Sequence, residues 1–117
     1  MDFVSVQGFD VHPGKLSALQ EWLGKHDAKL REHAPEGCEY IGTYLATQTS
    51  EKHAGNVFSL WRLDSYGAQD AMAAAGAEDG KFREMINEFL GFIDLDSQNW
   101  SSMLLKSVVD ATMYAGM

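Results

Sequence analysis

Two histidines, His26 and His33, stand seven residues apart in the stretch "LSALQEWLGKHDAKLREH", residues 16–33. Leucines recur through it at helical spacing, and both imidazoles fall among them rather than on the polar side. At about 100° per residue, Leu16, Leu19, Leu23, Leu30, Trp22 and the two histidines share an arc of roughly 120°. With a rise of about 1.5 Å per residue, the two rings stand about 10 Å apart along the axis. One zinc ion, held about 2 Å from each nitrogen, cannot bridge that distance. Two contacts at opposite ends of a small organic molecule can. Imidazole takes up a proton at neutral pH, so His26 and His33 are the candidate catalytic residues, with a general-base role. The structural alternative is that each nitrogen simply finds a carbonyl, a hydroxyl or water. For His33 a place in the last helical turn, where a cation is favoured, would also suffice.

Gln7 is the second residue of interest, an amide inside the apolar run "FVSVQGFDV", residues 3–11. A buried amide without partners costs about 1–3 kcal/mol, so Gln7 either bonds a neighbour or orients a ligand. Tyr40, Tyr44, Ser5, Ser59, Ser102 and Trp61 are the other strand residues able to point into the interior. Gln7 with Tyr44 or Tyr40 could hydrogen-bond a carbonyl or a developing enolate. Trp22, beside the histidines, and Trp61 would add aromatic surface. Gln7, Tyr44, Trp61, Tyr40 and Trp22 are therefore the candidate substrate-binding residues.

Other chemistry finds little support. Cys38 is the one cysteine, so no intrachain disulfide forms and a reducing, cytoplasmic setting is expected. A thiolate pair with His33 would have to form across the "APEG" turn, whose geometry the sequence leaves open. His12 and His53 fall in connectors and read as solvated. Glu78, Asp79 and Glu84 read as a solvated helix start rather than a carboxylate dyad. No G-x-x-x-x-G-K-[ST] phosphate loop occurs. No metal site and no cofactor are expected.

The elements that must position these residues follow from the pattern. Residues 3–11 read as a strand. Pro13 suits the entry to a helix from about Lys15 to His33, which "APEG" ends. Residues 38–47, "CEYIGTYLAT", and "NVFSLWRL" read as strands joined by the polar connector "QTSEKHAG". Asp64 or Ser65 can cap the next helix, and "GAEDG" breaks or loosens it. Phe82, Met85, Ile86, Phe89, Leu90 and Ile93 then form one broad apolar face. "WSSMLLKSVV" is a fourth strand. The order β-α-β-β-α-β predicts an α+β, ferredoxin-like fold, a four-stranded antiparallel sheet with its helices on one face. The 117 residues are expected to form a single domain, with 110–117 as a flexible tail.

The whole-chain balance narrows the partners. Nine basic against 17 acidic residues give a formal charge of -8, which repels nucleic acid and anionic membranes. No signal-peptide pattern and no apolar run of about 20 residues occurs, so a cytoplasmic protein is expected. The strands alternate poorly. Phe3 and Phe9 oppose Val4 and Val6, Phe58 and Leu60 oppose Val57, Trp61 and Leu63, and Trp100 and Leu104 oppose Met103 and Leu105. A sheet with apolar bulk on both faces needs a second covering layer. A homodimer packed sheet to sheet supplies it.

The element order and two-faced sheet resemble the dimeric α/β barrel superfamily. That group includes antibiotic biosynthesis monooxygenases, small polyketide cyclases and stress-responsive barrel proteins. The stretch "VFSLWRLDSYGAQDAM", residues 57–72, is similar to the monooxygenase branch, where an aromatic strand ending in tryptophan meets a capped helix of small residues. The resemblance implies a cavity between sheet and helices, lined by the early-strand amide (Gln7) and the third-strand tryptophan (Trp61). It implies a cofactor-free monooxygenase or cyclase acting on an aromatic or polyketide-like substrate. A haem-degrading branch shares the amide and the tryptophan but carries its axial histidine on the second helix. Residues 66–94 contain no histidine, so haem is not expected. The alternative is a non-catalytic ligand-binding or assembly module of the same fold, its histidines structural. An enclosed void of about 300 Å³ or more, touched by an imidazole and Gln7, would favour the enzyme.

Overall fold

The computed structural model describes residues 3–48 and 56–110. Its elements are β1 (Phe3–Phe9), α1 (Leu16–His33), β2 (Cys38–Leu45), β3 (Val57–Leu63), α2 (Ala68–Ala77), α3 (Lys81–Leu90) and β4 (Ser101–Lys106). A short 3-10 turn, Val108–Asp110, follows. His53 and residues 111–117 lie outside the described residues. The expected element order holds, and the "GAEDG" break is complete. Glu78 closes α2 by donating its N–H to the Ala74 carbonyl, and Gly80 opens α3.

The strands pair antiparallel in the order β2-β3-β1-β4. This is the ferredoxin-like arrangement, with α1 carrying the chain from β1 past β3 to β2. Registers Phe3↔Leu63, Ser5↔Trp61, Gln7↔Ser59 and Phe9↔Val57 set one row of side chains toward the helices. There Phe3, Tyr40, Trp61 and Leu63 pack with Leu30, Ala68, Phe82 and Met85. Phe9 and Val57 pack with Leu19 and Ile93.

On the other side, Val6 sits between Leu60 and Met103 in register. Val4, Val6, Phe58 and Leu60 are only half-buried there, and Met103 and Leu105 are 50% and 47% exposed. The sheet is thus apolar on both faces, with its outer face open in the single chain.

One irregularity decides which side chains reach the interior. Between β2 and β3 the pairing steps from Tyr40↔Trp61 to Gly42↔Leu60, leaving Ile41 as the extra residue of a bulge. A one-residue slip reverses the alternation. Thr43 therefore joins Ser59 on the helix side, while Tyr44 pairs with Phe58 and is 53% exposed.

Candidate functional site

Between the sheet and the helices lies a cavity of about 340 Å³. Small-molecule sites run from about 300 to 1,000 Å³, so this one suits a compact ligand. Its floor is strand side chains: Ser5, Gln7 and Phe9 from β1, Tyr40 and Thr43 from β2, and Ser59, Trp61 and Leu63 from β3. Leu30 of α1, Met72, Ala73 and Gly76 of α2, and Phe82, Ile86, Phe89 and Leu90 of α3 form the walls, with Trp100 before β4. The void exists because α2 is built from small residues. Where α3 offers phenylalanines, α2 offers Ala73 and Gly76, leaving space a filled core would lack.

The floor is polar along one line. Strand registers align Thr43, Ser59, Gln7 and Ser102 across all four strands. The Tyr40 hydroxyl and Thr43 Oγ1 share a hydrogen bond of 2.5 Å, and Thr43 Oγ1 donates to Ser59 Oγ at 3.5 Å. Gln7 Nε2 donates to Ser5 Oγ at 3.3 Å and to Ser102 Oγ at 3.4 Å. Those two bonds are long against the usual ~2.9 Å. A ligand carbonyl at ordinary distance would be a better acceptor for this amide than either serine.

Tyr40 is buried, its ring 5.0 Å from that of Trp61, which in turn meets Phe82 edge-on at 5.8 Å. Behind it, the Arg31 guanidinium lies 5.4 Å from the ring centroid. Arg31 is itself paired with Asp27 and donates to the Ile41 carbonyl. Burial pushes the Tyr40 phenol above its ordinary value of 10.0, against the opposing pull of the Thr43 bond. Tyr40 is therefore a neutral phenol at physiological pH.

Because the folded value is the higher one, the stability involved is present below pH 10.0 and lost as pH rises through the raised value. Cys38 acts in the same direction, its thiol raised from 9.0 by burial and then by Asp64. Denaturant unfolding across this alkaline range should show the intact chain losing stability faster than Tyr40→Phe, which retains only the cysteine contribution.

Of the residues expected at the site, Gln7, Tyr40 and Trp61 come together in the cavity. Tyr44 does not line it, because of the bulge. Trp22 and His26 form a seam between α1 and α3 instead. Their rings stack at 4.4 Å with a 14° interplanar angle. His26 Nδ1 donates to the Trp22 carbonyl at 2.9 Å, and its Nε2 lies 4.0 Å from Glu88 Oε2. Trp22 Nε1 donates to that same carboxylate oxygen at 3.3 Å. His33 is exposed in the last turn of α1.

The expectation that the two imidazoles contact opposite ends of one small molecule is thus corrected, since neither lines the cavity. The apolar stripe of α1 has two neighbours. Leu19 and Leu30 are buried, while the Trp22 edge meets Phe89 and Phe92 at about 6 Å. Thr43, by contrast, was not anticipated at the site. Gly42 was its available signal, since a glycine inside a strand often marks a bulge.

These features define a class: a ferredoxin-like α+β domain with a compact cavity between its sheet and helices. Solved structures of the same architecture include a NIPSNAP family protein from Agrobacterium tumefaciens (TM-score 0.64, 14% identity, 91% of this chain and 92% of that one covered). A NIPSNAP-like domain protein from Burkholderia xenovorans gives 0.62 at 12% identity, covering 90% and 84%. An antibiotic biosynthesis monooxygenase-like protein from Bordetella bronchiseptica gives 0.63 at 11% identity, covering 92% and 97%. At such identities the likeness is one of fold. No family model matches the sequence, and no curated protein does. Among the described residues, no group of three or more His, Cys, Asp or Glu could hold a metal ion, and no helix is long and apolar enough to cross a membrane.

Proposed function

We propose that this protein is a homodimeric small-molecule-binding protein of the ferredoxin-like class, its ligand an aromatic or polyketide-like compound held in the cavity. The observation that carries the reading is the pairing of an aromatic wall with a one-line polar floor. Trp61, Phe82 and Phe89 offer ring surface. Gln7 and the Tyr40–Thr43–Ser59 chain offer donors and acceptors along one edge. A planar molecule with oxygen substituents on one side satisfies both at once.

Ring closure or oxygenation would use the same groups, with Gln7 and Tyr40 hydrogen-bonded to a developing enolate oxygen. Such a step needs a proton acceptor. Among the described residues no imidazole or carboxylate lines the cavity, so binding without turnover is the reading this geometry favours. Mass spectrometry of protein purified under native conditions tests it. A stoichiometric aromatic compound released on denaturation is expected, whereas reproducible absence of any ligand, natural or added, would contradict it. The dimer rests on the open apolar face around Val6, Leu60 and Met103.

A further inference from the structure

If the cavity is a ligand site as proposed above, its lining says more about what it accepts. Among the described residues no charged side chain lines it. Its polar groups are hydroxyls, amides and the indoles of Trp61 and Trp100, and its hydroxyls and amides, apart from Gln69, come from the strands. Facing them from the helices are Met72, Phe82, Ile86 and Phe89.

The formal charges nearby are already engaged. Arg31, behind the Tyr40 ring, is paired with Asp27. Glu88, in the seam between α1 and α3, accepts from Trp22. An ion entering the cavity would shed part of its water and meet no opposite charge, which disfavours it against a neutral molecule. A neutral oxygen loses less, because Gln7, Tyr40 or Ser59 can replace its water partners.

We infer that the cavity selects by charge, taking uncharged ligands with their hydrogen-bonding edge toward the sheet and admitting a weak acid only in its protonated form. Tyr40 points the same way, since burial pushes its phenol above the ordinary value of 10.0 and so disfavours the anion. Local neutrality is separable from the net charge of -8. That net charge attracts cations at long range, so a cationic probe distinguishes the two.

The test is calorimetric titration of the full chain at neutral pH with three probes of one ring system: naphthol, naphthoate and naphthylmethylammonium. Naphthol should bind at least about tenfold tighter than either ion. Any naphthoate binding should take up a proton, read from the dependence of the heat on buffer ionisation. Ala73→Phe should abolish binding of all three. Equal or tighter binding of naphthylmethylammonium, or of naphthoate without proton uptake, would overturn charge selection and leave the ligand site standing. Failure of all three to bind would overturn the ligand site, and charge selection with it.

Discussion

Replacing Ala73 with phenylalanine is expected to remove small-molecule binding while leaving the chain folded. Ala73 lies on α2, exposed to solvent yet lining the cavity. A phenyl group there occupies the space that the small residues of α2 leave open. The folding cost should be small, because the lost helix propensity is about 0.5 kcal/mol and no buried contact is removed. Binding should fall by at least about tenfold, or ~1.4 kcal/mol, with little change in melting temperature. A parallel loss of fold and binding would show instead that α2 is part of a packed core. Ala73→Ser, close in volume, should bind as the original chain does, which keeps a steric cause separate from damage to the helix.

Val6→Glu should have the largest effect on assembly. Val6 lies near the centre of the open sheet face, flanked in register by Leu60 and Met103. The intact chain should elute at twice its 13.0 kDa mass by light scattering. A carboxylate buried there without a partner costs about 3–5 kcal/mol, so dimer dissociation should rise at least about a hundredfold. Glu21, by contrast, is exposed on α1, away from that face, and paired with Lys25, and Glu21→Gln should leave the dimer intact. A monomeric intact chain would remove the sheet-to-sheet dimer from consideration.

Most of the architecture was legible because its signals are local. The leucine repeat of α1, the Phe82–Ile93 face and the Gly-flanked "GAEDG" break each act within a few residues. Grouping Phe3 with Phe9, and Trp61 with Leu63, on one side of each strand needed only strict alternation, and those strands are regular; the register then puts the two sides on one face. Half of the site was legible for the same reason. Gln7 is polar in an apolar strand, and β1 has no irregularity to turn it away.

The rest depended on facts that a single segment does not hold. Tyr40 and Tyr44 share a face in an ideal strand, and the bulge at Ile41 separates them. The helical wheel put His26 and His33 in the apolar stripe, but it could not say whether sheet, helix or solvent meets each part of that stripe. Glu88, 4.0 Å from His26 Nε2, comes from a helix 62 residues further along. The cavity itself is a mismatch in size between α2 and α3, visible only when both are laid over one sheet.

The ligand site is tested most directly by nuclear magnetic resonance of the tryptophan indole and glutamine side-chain amide protons during titration with naphthol. Trp61, Trp100 and Gln7 line the cavity, and Trp22 sits outside it on the α1–α3 seam against His26 and Glu88. Signals of Trp61, Trp100 and the Gln7 amide should move together along one saturable curve while Trp22 stays fixed. Shifts confined to Trp22, or none at saturating probe, would contradict the site.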